Sequence, residues 1–249
     1  MLRILLLLTI SFQLFAIVIV KPREVGENPG ISGSVSGSLE TKRGNTDKDN
    51  YAAAFQLQYD SNTTYLLWGV IDGAYGESSG ATDTNNLYAH LRYIRNLRGK
   101  WLAYELFTQL EEDEFKDIKE RFLLGANYRV KLLRTKGGWG GLFVGLGAMF
   151  EYIGYTTSVD PAERNLRFNS YLSYSLTFNT DSRFVLNGYY QPKLDEFSDY
   201  LVTFSGGLEV HVYKQLFIGI TSSYTHDSKP AVGVKKYDFS QRTYFEYKF

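Results

Sequence analysis

The sequence contains no cysteine, only five prolines and two methionines, and no net charge, with 27 Lys and Arg against 27 Asp and Glu. Without cysteine there is no disulfide framework, thiolate metal site, cysteine nucleophile or lipid-anchoring N-terminal cysteine. Balanced charge lacks the basic excess that nucleic-acid binding requires, so nucleic acid is not an expected partner. Long apolar runs are missing too, with one exception at residues 4–20, between Arg3 and Lys21. A basic start, an apolar stretch and a polar continuation read as a Sec-type signal peptide over 1–20, with the cleavage site left open between Ala16 and Lys21. A short periplasmic lead, 21–30, is expected to follow.

What is abundant is aromatic: 20 Tyr, 17 Phe and 3 Trp in 249 residues. From residue 31 to the end, apolar and polar side chains alternate in stretches of about ten residues, the period of a half-buried strand. Tyr51, Ala53, Phe55, Leu57 and Tyr59 form one such face; Phe122, Leu124, Ala126, Tyr128, Val130 and Leu132 form another. Twelve stretches are counted. None of the twelve apolar faces carries Asp, Glu, Lys or Arg. The strand charges fall on the opposite parity: Asp72, Arg92, Glu105, Arg129, Lys131, Glu151, Arg167, Glu209, Arg242, Glu246 and Lys248. A charge on the lipid face of a membrane barrel costs about 2–4 kcal/mol near midplane, which gives this segregation a physical cause.

The gaps between stretches alternate in length. Long polar gaps are read at 41–50, 76–86, 111–121, 153–165, 193–201 and 225–238, and short ones at 60–64, 94–101, 133–141, 179–183 and 213–215. Long loops on one side and tight turns on the other are the layout of an outer-membrane barrel. Strands of this length, tilted, span a bilayer, and a closed barrel pairs every backbone group there. Aromatics gather at the ends of the apolar faces, as interfacial girdles do. The predicted fold is therefore all-β: a transmembrane antiparallel up-and-down barrel of about twelve strands over 31–249. The chain ends with Phe245, Tyr247 and Phe249 on one face of the last strand, which looks like the C-terminal signal read by the barrel-assembly machinery.

Three groups of motifs carry a family resemblance. Gly37-Ser38-Leu39 leads into Gly44-Asn45-Thr46-Asp47; Tyr104-Glu105-Leu106 runs through Phe115 to Arg121-Phe122-Leu123-Leu124-Gly125; and Tyr190-Gln191-Pro192 precedes Asp199-Tyr200, Pro230, Gly233, Asp238 and the terminal Phe249. In this order and spacing the chain resembles the YdiY-like outer-membrane family of unknown function, sometimes labelled salt-induced. The resemblance implies an outer-membrane β-barrel and supplies no substrate and no catalytic residues.

No chemistry-bearing constellation converges in the sequence. His90 and His211 have the inward parity and His226 sits in a loop, without metal-ligand spacing. His226-Asp227-Ser228 is turn chemistry, because consecutive residues cannot adopt a triad. The acidic run 111–114 is expected to be a solvated loop, lacking the Gly turn of a calcium site, and Asn62-Thr63-Thr64 reads as turn residues. No enzyme and no cofactor are expected. The inward charges are the candidate functional residues, lining a narrow solute or ion channel; the alternative is a non-conducting structural barrel linked to osmotic or salt stress. Expected partners are outer-membrane lipid and lipopolysaccharide, the assembly machinery, and small solutes or ions.

Overall fold

The computed structural model describes residues 22–42, 47–134, 140–157, 159–178 and 182–249, so the expected signal peptide, 1–20, lies outside the described residues. Twelve antiparallel strands follow in chain order: β1 (Gly30–Lys42), β2 (Lys48–Asp60), β3 (Tyr65–Ser78), β4 (Ala81–Arg98), β5 (Leu102–Asp113), β6 (Ile118–Arg134), β7 (Gly140–Tyr155), β8 (Glu163–Phe178), β9 (Ser182–Pro192), β10 (Tyr200–Tyr213), β11 (Leu216–Asp227) and β12 (Tyr237–Lys248). Each strand pairs with its chain neighbours, and β12 returns to β1 to close the barrel. The even count puts Gly30 and Phe249 at one end, called here the near end; the opposite rim is the far end.

The period-two pattern sorts by face. Val35, Phe55, Ile71, Leu91, Leu106, Leu124, Leu146, Leu172, Leu186, Phe204, Ile218 and Phe245 all point outward and are exposed. Around the near end Tyr59, Tyr65, Tyr93 and Tyr104 form a continuous row of rings, with successive centroids 5.9, 5.6 and 5.9 Å apart. That is one of the two expected girdles. The opposite parity fills the interior. Two inward glycines admit rings that lie flat across the wall: a Cβ on Gly145 would stand 2.0 Å from Tyr171, and one on Gly219 would stand 2.2 Å from Tyr244.

Two expectations are corrected. The long gap read at 76–86 is mostly strand: β3 and β4 run on to a turn at Ser79 and Gly80, both with positive φ (51° and 80°), which matches the handedness of a two-residue hairpin. The gap read at 111–121 shrinks in the same way. Glu111 to Asp113 belong to β5, a single 3-10 turn (Glu114–Lys116) follows, and β6 begins at Ile118. Its acids divide: Glu112 and Glu114 are exposed, whereas Glu111 and Asp113 are paired, with Lys116 Nζ 3.5 Å from Glu111 and 2.8 Å from Asp113. Burial opposes the Lys116 ammonium, but Glu111 and Asp113 outweigh it and raise its pKa above the usual lysine value. Residues 22–29 of the expected lead enter the near end of the barrel, as described below.

Closure is uneven. The β1–β2 ladder runs the whole strand, from Gly30↔Asp60 to Lys42↔Lys48. The β1–β12 ladder covers only Ser34↔Lys248 to Gly37↔Phe245, extended at the near end by two reciprocal backbone bonds between Gly33 and Phe249 (2.9 and 3.0 Å).

Candidate functional site

The lumen is the site. It carries a chain of alternating charge in its far half. Glu111 accepts from Arg121 (3.0 Å), whose other nitrogens reach Glu151 (2.6 Å). Glu151 also accepts from Arg167 Nε (2.5 Å), and Arg167 Nη2 donates to Asp199 (3.0 Å). Lys193 joins Asp199 (2.7 Å) to Glu163 (2.9 Å). Four strands, β5 to β8, and the connection between β9 and β10 are thus tied in one belt. Glu151 is wholly buried within it and answers two cations at once, so the belt cross-links the wall, while Glu111, Glu163 and Asp199 also line the cavity described below.

Below the belt Glu105, also wholly buried, sits between Arg129 (3.1 Å) and Arg92 (3.7 Å) and accepts from the Tyr171 hydroxyl (2.7 Å). Aromatic faces back both cations: Arg92 lies 5.5 Å from the Phe107 ring and Arg129 lies 5.1 Å from that of Phe143. On the inner face spanning β1 and β2, Arg242 of β12 donates to Asp72 of β3 (2.8 Å). At the near end Lys248 pairs with Glu209 and lies 4.0 Å from Glu246, while Lys131 reaches Glu24 (2.6 Å). The ten sequence-derived lumen candidates therefore fall into separate clusters: Glu151 with Arg167; Arg92, Glu105 and Arg129; Asp72 with Arg242; Glu209 with Glu246; and Lys131 with the lead. Phe245, Tyr247 and Phe249 face outward, beside the β1–β12 seam.

The near mouth is stopped by residues 22–29. Val25 is buried against Leu66, Trp68, Val70, Ile94 and Ala103. The Asp60 carboxylate accepts from the backbone N–H groups of Gly26 (2.8 Å) and Asn28 (3.2 Å). Glu24 accepts from Gly140 N (3.0 Å) as well as Lys131, Glu27 pairs with Arg183, and Arg23 donates to Gln58 and to Gln56 (2.7 Å). Burial first, and the like charge of Arg183 second, push the Arg23 guanidinium down to about 10, so it stays protonated at neutral pH. The gap left beside the lead is about 10 Å³, roughly one water probe. On the far side of the mid-lumen clusters a cavity of about 280 Å³ opens outward, floored by Arg92, Phe107 and Tyr189 and walled by Ser223, Ser240 and Thr203.

The sequence reading missed Arg121, Lys193 and Asp199, which it assigned to gaps, and Arg183 and the lead, which it treated as peripheral. A signal for the lead was present: Leu66, Trp68 and Val70 are apolar at inward parity on β3, and a water-filled lumen would leave them wet. The histidines stay in separate settings. His90 is packed among Trp68, Tyr88 and Phe107 (ring centroids 5.0, 6.2 and 6.1 Å), His211 sits on Phe217 and His226 beside Tyr200. Among the described residues no cluster of metal-ligating side chains occurs.

Fold and site together define a closed twelve-stranded β-barrel of porin-like architecture with a charge-packed interior. The chain belongs to the family described as protein of unknown function, DUF481, whose model matches residues 35–249. Among solved structures, the NanC porin superposes with a TM-score of 0.51 at 9% identity, over 88% of this chain and 98% of that one. The KdgM porin in complex with disordered oligogalacturonate gives 0.45 at 11% identity, over 88% and 99%. The β domain of the Bordetella autotransporter BrkA gives 0.46 at 9% identity, over 89% and 99%. At these identities the likeness is one of fold. No curated protein matches the sequence.

Proposed function

We propose that the protein is a bacterial outer-membrane barrel that forms a narrow, gated passage for small polar solutes or ions, non-enzymatic, with the near end in the periplasm. The observation that carries this reading is the asymmetry of the lumen. A cavity of about 280 Å³ opens at the far end, while the near end is closed by a short segment held through a few separable contacts. A purely structural barrel would be expected to fill both halves alike. The inward charges then act as fixed walls beside a path along the Ser- and Thr-rich surfaces of β10, β11 and β12, where charge rows bias which ions enter.

The test is conductance of detergent-refolded protein in a planar bilayer with KCl on both sides. The native chain is expected to stay mostly closed. Val25→Asp combined with Glu24→Ala puts a charge into the apolar seat and removes the Lys131 and Gly140 contacts, so sustained steps are expected. Arg92→Ala in that background should shift their ion selectivity. A variant that refolds to a heat-modifiable barrel and still gives no steps overturns the gated passage and leaves the non-conducting, stress-linked envelope barrel.

A further inference from the structure

We propose that the far-lumen cavity is a binding site for a small neutral carbohydrate, a sugar ring that carries neither acid nor amine. The inference rests on the passage reading above, for which it names the solute class. Binding is measured apart from conduction, so either can fail alone.

On β10, β11 and β12 the cavity wall is built of hydroxyls. Register places Thr203 beside Thr225, Ser205 beside Ser223, and Ser223 beside Ser240. All five line the cavity. Ser223 (7% exposed) and Ser240 (4%) lie deep in the barrel. Yet among the described residues the hydroxyls of Thr203, Ser223, Thr225 and Ser240 have no hydrogen-bond partner in the protein. Buried polar side chains are paired with few exceptions. A hydroxyl is at once donor and acceptor, so a ligand that answers four neighbouring ones offers both functions at close spacing. A carboxylate or phosphate offers acceptors alone and an ammonium donors alone; a polyol offers both.

Aromatic rings complete the surface. Tyr189 is the register partner of Thr203 and lines the cavity with Tyr88, His90 and Phe107. Tyr88, His90 and Phe107 form one row of nearly parallel rings, with interplanar angles of 3° and 19°. The His90 Nδ1 within that row is buried and unpartnered, a further polar contact at the floor. A sugar carries hydroxyls at its rim and C–H groups on its faces, which suits rings set beside hydroxyls.

Charge argues against an ionic ligand. Every guanidinium that lines the cavity is already answered: Arg92 by Glu105, Arg121 by Glu111 and Glu151, and Arg167 by Glu151 and Asp199. Asp113 holds Lys116 and Glu196 holds Lys229. Toward the mouth, Lys235 and Lys236 stand against Asp227 and Asp238, two charges of each sign. The volume, about 280 Å³, falls just under the ~300–1,000 Å³ of sites for drug-sized ligands and suits one or two sugar rings.

The test holds the refolded protein in a detergent without a sugar headgroup. Binding of glucose, galactose and mannose is followed by calorimetry and ligand-observed NMR. Glucuronate and glucosamine, with a similar ring and one negative or one positive charge, are the charged probes. At least one neutral hexose is expected to bind tenfold or more tightly than either charged probe. Ser223→Ala/Ser240→Ala should weaken that binding at least fivefold. Tyr189→Ala should do the same, whereas Tyr189→Phe keeps the ring and should retain most of the affinity. Thr63→Ala, in the near-end turn, is the control. No binding of any neutral hexose, equal or tighter binding of a charged probe, or native affinity in the two-serine variant would each overturn the proposal. Conductance steps without hexose binding would leave the passage and remove this site; hexose binding without steps would do the reverse. Heat-modifiable migration of each variant confirms that a folded barrel is being read.

Discussion

Glu151→Ala is expected to lower the stability of the folded barrel by about 3–5 kcal/mol, the cost of removing one partner of a buried ion pair. Glu151 has no exposure and holds two guanidiniums at once, Arg121 at 2.6 Å and Arg167 at 2.5 Å. Its removal leaves both cations without their shared carboxylate and cuts the belt at its centre. Glu151→Gln keeps one acceptor oxygen and the side-chain volume, and should lose less. Arg121→Ala added to Glu151→Ala should cost less than the two single changes summed, because each already removes their shared contact. Glu196, in an exposed pair with Lys229, is the counterexample: Glu196→Ala should leave stability unchanged, as surface pairs contribute little. The measurement is the urea midpoint in lipid vesicles, followed by heat-modifiable migration. A Glu151→Ala barrel that unfolds at the wild-type midpoint sinks the cross-linking role given to the belt.

Leu172→Arg is expected to destabilise by about 2–4 kcal/mol in lipid, the depth-dependent cost of a charge near the middle of a barrel's outer face. Leu172 is half exposed on β8, between its register partners Val144 on β7 and Gly188 on β9. The same side chain is accepted at Arg167 on the same strand, five residues away and on the other parity, because there Glu151 and Asp199 answer it. Leu194→Arg, just past the end of β9, places the charge outside the strands and should change little. Equal midpoints for Leu172→Arg and Leu194→Arg in bilayers of the same composition would falsify the assignment of the exposed face to lipid.

Both predictions depend on a division that is visible in the amino-acid sequence. Which side chains share a face is local information: it follows from the alternation of successive residues along a strand, so Phe122, Leu124 and Ala126 separate from Arg121, Leu123 and Gly125 without any knowledge of neighbours. Twelve such segments, an even number, were sufficient to predict a closed barrel. Turn boundaries were less legible, because Thr82 and Thr84 are as acceptable in a strand as in a loop, and only the positive φ of Ser79 and Gly80 ends β3 where it does.

The partners of the inward charges were decided by the tertiary structure. Asp72 and Arg242 lie 170 residues apart and meet because closure of the barrel leaves only β1 and β2 between β12 and β3; strand number, shear and tilt set which levels coincide, and none of these is a property of one segment. The lead docks for the same reason, since Val25 needs inward apolar residues of β3, β4 and β5 to be gathered at one mouth. The partial β1–β12 seam is the extreme case. Every other strand pair is joined by a connection that fixes its register, whereas β1 and β12 meet only when the whole sheet has curled, and the extent of their pairing follows from how that sheet closes.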